Sequence, residues 1–385
     1  MKKIAIVVES SRAYGRAIIE GIAAYAQKTG EWTLNLLSDD EATEEELRLH
    51  DGVIARIANE VHARRFTRAK IPVVDVFCNH TRPGFGMVDA DHAEIGRKAA
   101  NFFRSRGFTN FAFFGIPGAT FSDDRAKAFA AACPNKPFIY GNGLEFPFAK
   151  DLIFRERADR IGDAATIRKW VRKLPKPIAV FCCSDVRAFQ LQRIVISCGF
   201  DVPKDFVLLG VDNDTMICSF AKVPISSIDP NAFRIGHNAA RMLDVMIKKA
   251  PMQKPHGIHR IHCGEIVERT SSEYLPVDPP WLGKVMLHIE KNMSSPVSAS
   301  EIFALAERAP ASVEKAFKEH FGVPVQTYVN IVKLTEAKRL LLETDLRISE
   351  IAYQCGYTTP QYFCRLFGNY YHTTPKDLRK GHRTC

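Results

Sequence analysis

Ile348-Ser349-Glu350-Ile351-Ala352-Tyr353-Gln354-Cys355-Gly356-Tyr357 is the most informative stretch of this 385-residue chain. It reads as a short helix that stops at a glycine, the residue best suited to a left-handed C-cap. Thr358 can then cap a second helix, with Pro360 in its first turn. That helix runs through Gln361-Tyr362-Phe363-Cys364-Arg365-Leu366-Phe367. Tyr362, Phe363, Leu366 and Phe367 are expected to form its buried face, leaving Gln361 and Arg365 together on the outward one. Two short helices about a tight glycine turn make a helix-turn-helix, whose second helix enters the major groove of double-stranded DNA. Glutamine suits adenine edges, and arginine suits guanine edges or phosphate. Thr358, Thr359, Gln361 and Arg365 are therefore the candidate DNA contacts here.

The same plan occurs upstream. Val297–Ala306 is a helical stretch, and Ala311-Ser312-Val313-Glu314-Lys315-Ala316-Phe317-Lys318 is its partner. Ser312 is the candidate for a base and Lys315 for a phosphate. A long helix over Val325–Glu343 separates the two units, with Ile331, Leu334, Ala337 and Leu341 as its apolar stripe. From about Pro280 to Arg379 the chain resembles the AraC family of bacterial regulators. The resemblance is carried by I-S-E-I-A-x-x-C-G-Y-x-x-x-Q-Y-F-x-R-x-F, by Tyr371-His372-Thr373-Thr374-Pro375 and by Ala337–Leu342. It departs at the first turn, which is Glu307-Arg308 where the family has Gly-Met or similar, and at Ala311 and Ala316, where arginine is common. An unrelated helical bundle is the plain alternative, and any of these polar residues could be merely solvated.

Ahead of residue 275 the pattern is different. Short apolar runs alternate with amphipathic helices, which implies parallel sheets with helices on both faces. The runs are Lys3–Glu9, Trp32–Leu37, Gly52–Ala55, Val73–Phe77 and Phe111–Gly115, then Pro137–Tyr140, Ile178–Cys182, Val207–Val211 and Ile225–Ser227. Helices are expected over Gly15–Lys28, Ala93–Ser105 and Asp185–Ser197. Two sets of strands predict two lobes. Three prolines within Tyr274–Pro280 mark a domain boundary. The expected organisation is a sensor over 1–275, a linker over 276–280 and an all-α DNA-binding domain over 281–385.

In open parallel sheets ligands sit beyond the carboxyl ends of the strands. The first such loop, Glu9-Ser10-Ser11-Arg12-Ala13-Tyr14-Gly15-Arg16, lacks the G-x-G-x-x-G that cradles a dinucleotide pyrophosphate. It offers hydroxyls, guanidinium groups and a flat ring instead, which suit a polyol. Other strand ends supply Arg125, Asp185, Asp212 and Asn213. An aspartate can accept two sugar hydroxyls, and arginine can donate in a planar fork. Ser10, Tyr14, Arg16, Arg125, Asp185, Asp212 and Asn213 are therefore the candidate ligand residues. Four of them also have a plainer role: Asp185 and Asp212 as helix caps, Arg125 in a surface ion pair, Arg16 in solvent.

This half resembles the type I periplasmic binding protein fold used by LacI-type regulators. The resemblance rests on Val88-Asp89-Ala90-Asp91 before Gly96, the R-x-x-x-F of Arg125–Phe129, the G-V-D-N of Gly210–Asn213, and Ile266-Val267-Glu268-Arg269-Thr270-Ser271. A LacI-type sensor ahead of an AraC-type tail is similar to the bacterial xylose operon activators. That resemblance implies D-xylose or another plant-derived sugar as effector, operator DNA as partner, and RNA polymerase where the chain activates. A homodimer is expected from half-site geometry. Arg12, Arg16 and Arg125 leave an anionic or other non-sugar effector open. A Rossmann-like sugar enzyme with a helical tail is a further alternative, disfavoured by the absent glycine-rich loop and by the lack of a Ser-His-Asp or paired-carboxylate motif.

Bulk properties fit this picture without deciding it. The net charge of +10 suits a nucleic-acid partner. It is spread out, because the 105 residues from Trp281 hold only 14 Lys/Arg against 10 Asp/Glu. No apolar run approaches the roughly 20 residues of a membrane span, and the short apolar start is read as a strand, not a signal peptide. Ten scattered cysteines without a C-x-x-C pair suit a reducing cytoplasm. His256, His259, His262 and Cys263 hint at metal. Spacing by three on a strand sends side chains to opposite faces, however, so no metal or cofactor is expected.

Overall fold

A computed structural model describes residues 1–57, 60–79, 82–140, 164–248 and 257–383. His256 lies outside them. The chain divides into two compact units, Met1–Glu273 and Tyr274–Cys385.

The first unit holds two sheets, each of six strands among the described residues. One has the order β11-β5-β4-β3-β1-β2, built from β1 (Lys2–Val7), β2 (Trp32–Leu36), β3 (Gly52–Ala55), β4 (Val73–Asp75), β5 (Gly86–Ala90) and β11 (His259–Ile261). The other has the order β12-β10-β9-β8-β6-β7, built from β6 (Phe111–Phe114), β7 (Phe138–Ile139), β8 (Ile178–Cys182), β9 (Phe206–Val211), β10 (Ser226–Ile228) and β12 (Ile266–Val267). Pairing is parallel throughout except between β10 and β12. Registers such as Ala5↔Val53 and Phe181↔Leu209 set continuous apolar runs side by side. That is the pattern of strands buried on both faces. The chain passes between the sheets three times: β5 into helix α4 (His92–Ser105), β10 into α9 (Ala232–Lys248), and β11 into β12.

The remaining helices of this unit are α1 (Ala13–Thr29), α2 (Glu44–Leu47), α3 (Glu60–Ala69), α5 (Thr120–Ala132), α6 (Ala164–Lys173), α7 (Asp185–Ser197) and α8 (Thr215–Phe220). α1 packs on α9 so closely that a Cβ on Gly236 would lie 1.9 Å from the Ile18 carbonyl oxygen. Only glycine fits there.

Strand β5 escapes the sequence pattern because Gly86-Met87-Val88-Asp89-Ala90 carries a glycine and a charge. All five residues are nevertheless buried. The structure tolerates Asp89 because its carboxylate accepts from the Ala90 amide at 2.8 Å and lies 3.2 Å from both His92 Nε2 and Arg260 Nη1. Unpaired, such a burial would be prohibitive.

The second unit is helical: α10 (Pro280–Lys291), α11 (Ala299–Ala306), α12 (Pro310–Phe321), α13 (Val325–Glu343), α14 (Ile348–Gln354), α15 (Pro360–Tyr371) and α16 (Pro375–Arg383). Pro280, read as linker, is the first residue of α10, where its missing amide costs nothing. Two cores share α13. Val325 and Val329 join Leu282, Ile302, Val313 and Phe317 in one. Leu334, Ala337 and Leu341 join Ile351, Phe363 and Phe367 in the other. Among the described residues no helix is long and apolar enough to cross a membrane.

Candidate functional site

A cavity of about 180 Å³ opens in the first unit at the carboxyl ends of β1, β3, β4, β5, β8 and β9. Its walls come from both sheets. Glu9, Ser11, Arg12 and Tyr14 follow β1, Arg56 follows β3, Phe77 follows β4, and Asp89 is the penultimate residue of β5. From the other sheet come Arg125 and Phe121 on α5, Asp185 on α7, and Asp212 and Asp214 after β9.

Tyr14 projects from the first turn of α1. Burial, and then the charge of Asp89, push its phenol pKa well above the ordinary value, so it remains a neutral donor. Asp185 is fully buried, and Oδ2 accepts from the Asp214 amide at 2.8 Å. Burial, with Asp212 close by, drives its pKa well up. Arg125 is 3 % exposed, donates to the Cys183 carbonyl and stands 5.2 Å from the Phe121 ring centre. Arg56 lies 4.1 Å over Phe77, and the Phe77 and Phe121 rings sit 6.1 Å apart. Burial lowers the pKa of His92, which keeps its imidazole neutral at pH 7.

Asp212 is aimed by an unusual turn. Its φ is +110° and that of Asn213 is +46°, both in the half of conformational space that side chains avoid. Arg269 stabilises the turn by donating to Asn213 Oδ1 at 2.8 Å, and the Asn213 amide donates to Ser227 Oγ at 2.9 Å. Arg269 is itself seated by Ser226, whose Oγ accepts from the Arg269 amide at 2.7 Å and whose own amide donates to Ser271 Oγ at 2.8 Å. Arg269 Nη1 donates to the Ile225 carbonyl at 2.9 Å, and Ser271 Oγ donates to the Leu208 carbonyl at 2.7 Å.

Of the ligand residues read from sequence, Tyr14, Arg125, Asp185 and Asp212 converge on the cavity. Ser10 and Arg16 are exposed and outside its lining. Arg16 donates back to the Ser10 carbonyl at 3.2 Å. Asn213 is outside it too, its side chain engaged by Arg269. Sequence reasoning missed Arg56, Phe77, Phe121 and His92 as lining residues, and read Asp89 only as part of a fold motif. The position of Asp89 at a strand's carboxyl end was the available signal. Among the described residues the lining holds five carboxyl groups, of which burial holds Asp185 toward its neutral form, against three guanidinium groups. Such a cavity favours a neutral polyol over an anion.

Just after β11, where the chain passes to the other sheet, His262 Nδ1 lies 3.0 Å from Glu94 Oε2, and Asp91 completes a group within 4.8 Å. Asp91 caps α4 and Glu94 also accepts from the Cys263 amide, so each has an ordinary structural role.

In the second unit Gly356 takes φ +67° after α14, as a C-capping glycine does. The cap of α15 is Thr359, not Thr358: its Oγ1 accepts from the Tyr362 amide at 3.3 Å. Thr358 is exposed. Phe363 and Phe367 are buried, but Tyr362, expected inside, is 41 % exposed and lies 5.4 Å from the Arg365 guanidinium. Gln361 and Arg365 face solvent on α15, and Ser312 and Lys315 face solvent on α12. Both partner helices thus offer polar faces without disturbing their cores.

Three family models match: an XylR N-terminal domain over residues 3–84, a periplasmic binding protein-like domain over 100–272 and a helix-turn-helix domain over 304–381. The xylose operon regulatory protein of Escherichia coli (strain K12) is 25% identical over 391 residues, covering 98% of this chain and 96% of its own. That of Haemophilus influenzae is 23% identical and covers 98% of each. The solved structure of a xylose-binding transcription activator, xylR, matches with a TM-score of 0.59 and 25% identity over 98% of both chains. These relatives are transcription regulators and not enzymes. The chain thus joins an XylR N-terminal domain and a periplasmic binding protein-like domain to an AraC-type helix-turn-helix domain, and is a sugar-responsive DNA-binding transcription regulator similar over almost its whole length to the xylose operon regulators.

Proposed function

We propose that the chain activates a pentose catabolic operon, with D-xylose or a close relative as effector. The cavity carries this reading. Asp89 and Asp212 are acceptors, Asp185, held toward its protonated form by burial, can also donate, Arg56 and Arg125 are donors, and Phe77 and Phe121 offer flat faces for ring carbons. A pentose needs several directed hydrogen bonds in a small volume and carries no charge for the carboxylates to repel.

Because the lining comes from both sheets, a ligand that touches both stabilises the closed arrangement. Its differential affinity for closed and open forms, typically about 1–3 kcal/mol, is the free energy available to shift DNA binding. Two chains bound to paired half-sites, with RNA polymerase recruited beside them, complete the proposal and place the protein in the cytoplasm with its DNA.

Thermal unfolding with D-xylose, D-ribose and D-xylonate tests it. At a hundred times its dissociation constant the effector adds about 2.7 kcal/mol. A shift with xylonate and none with either neutral pentose would transfer the reading to an anionic effector.

A further inference from the structure

Lys333 is an anomaly in the second unit: a lysine 4 % exposed in the middle of α13. It stands between Val329, which belongs to the first helix-turn-helix core, and Leu334, which belongs to the second. Its Nζ donates to the Ser295 carbonyl at 2.6 Å and to the Gly356 carbonyl at 3.2 Å. Ser295 lies in the segment joining α10 to α11, and Gly356 is the turn between α14 and α15. One ammonium therefore bonds a backbone segment from each unit.

The two segments also touch. A Cβ on Gly356 would lie 2.6 Å from both the Met293 and Ser295 carbonyl oxygens, and 2.8 Å from Lys333 Nζ. The glycine thus serves twice, taking a left-handed φ and admitting the other unit's backbone. Removing the charge would leave two carbonyls packed together without a donor, at the junction that fixes one unit against the other.

We infer that Lys333 is a positioning residue for DNA reading: clamped between the Ser295 and Gly356 carbonyls, it locks the two helix-turn-helix units into one reading head with a fixed separation. The inference rests on both units touching DNA. Duplexes selected by the full-length protein from a random pool should then carry, within each half-site, two short sequence blocks at one spacing. Lys333→Met should bind them about ten-fold more weakly, the loss expected when two linked contacts no longer share one geometry. It should also accept blocks moved apart by one base pair. Lys333→Arg, which keeps the charge and donors, should restore the spacing.

A folded Lys333→Met protein with unchanged spacing and affinity overturns the proposal. A single block in each half-site selected by the unaltered protein overturns the two-unit reading beneath it. Should Lys333→Met fail to fold, dipolar spectroscopy on the protein with nitroxide amino acids at Ser312 and Gln361 decides: one narrow distance supports the lock, and a broad distribution refutes it.

Discussion

The Asp214 carboxylate lies across the N-termini of two helices that grow from different sheets. Oδ1 accepts from the Ile217 amide at 3.2 Å and caps its own α8, while Oδ2 lies 3.4 Å from the Ala13 amide at the start of α1. Arg12, the residue before α1, contributes no side-chain cap, so Asp214 takes that place from across the cavity. Negative charge at a helix N-terminus contributes about 0.3–1 kcal/mol per helix. Asp214→Asn keeps the shape and loses the charge. We expect it to lower the stability of the unliganded protein by about 1 kcal/mol and to weaken D-xylose binding, because the closed arrangement loses a bond between its halves. Calorimetry showing full affinity in this variant would reduce Asp214 to a local cap.

The lining and its supports should separate in a mutant series. Asp212→Ala and Asp89→Ala remove acceptors for ligand hydroxyls, and each should cost about 1.5–3 kcal/mol of sugar affinity, the range for hydrogen bonds to charged groups. Arg269→Ala should act differently. It frees Asn213 from its 2.8 Å bond and leaves the strained Asp212–Asn213 turn unsupported. The expected result is a lower melting temperature together with a loss of affinity. Equal melting temperatures for Arg269→Ala and the unaltered protein would show that the turn holds itself.

Asp75 predicts a pH dependence. It is fully buried, and its pKa is pushed up to about 6, chiefly by burial. Donation from the Phe77 amide at 2.9 Å, the Ile57 amide at 3.2 Å and Arg82 at 2.9 Å offsets only part of that. A carboxyl whose folded pKa lies above its unfolded one binds its proton more tightly when folded. The stability it contributes is complete below the unfolded pKa and is lost as pH rises through about 6. Between pH 4.5 and 7.5 the loss from this group should be about 2 kcal/mol, at 1.36 kcal/mol per unit. Urea unfolding of the protein and of Asp75→Asn at both pH values isolates the effect. Identical pH dependence in the two would refute it.

Local chemistry was legible in the sequence, and distant neighbours were not. Gly52–Ala55 and Ile178–Cys182 were bounded correctly because continuous apolar runs mark strands buried on both faces. The turn at Gly356 was read from one residue. By contrast, Arg56 has its cavity neighbours far away in sequence: it lies 4.1 Å over Phe77 and 3.4 Å from Glu9, each of which follows a strand that pairs with β3. Ser11 lines the cavity and Ser10 does not, a difference of one residue where the chain turns into α1. Nothing local marks Lys333, because its two carbonyl partners are 38 and 23 residues away.

The two helix-turn-helix turns make opposite demands on one substitution. Glu307 ends α11 at φ +52° with its side chain exposed, so it bears the cost of a left-handed conformation. Glu307→Gly should stabilise the protein by about 0.5–1 kcal/mol, the strain relieved less the entropy glycine adds to the unfolded chain. Gly356→Ala meets both a positive φ and two carbonyl oxygens at 2.6 Å. It should cost at least about 2 kcal/mol. Chemical denaturation of the two variants reads both signs, and a stabilising Gly356→Ala would contradict the close approach of the two units.

On the proposed DNA face, Arg365 and Lys315 should behave differently. Arg365 stands on α15 beside Gln361, its guanidinium 5.4 Å from the exposed Tyr362 ring and free to turn toward a base. If it reads a guanine edge, Arg365→Ala weakens binding to the selected duplex by about 1–3 kcal/mol and relaxes preference at one position. Lys315 is 76% exposed and 3.7 Å from Glu319 on the same helix, a weak pair that a phosphate can replace. Lys315→Ala should weaken binding evenly across sequences and lower the salt dependence by about one counterion. Isotherms at several salt concentrations separate the two. An Arg365→Ala protein with unchanged affinity at matched salt would move base reading on α15 to Gln361.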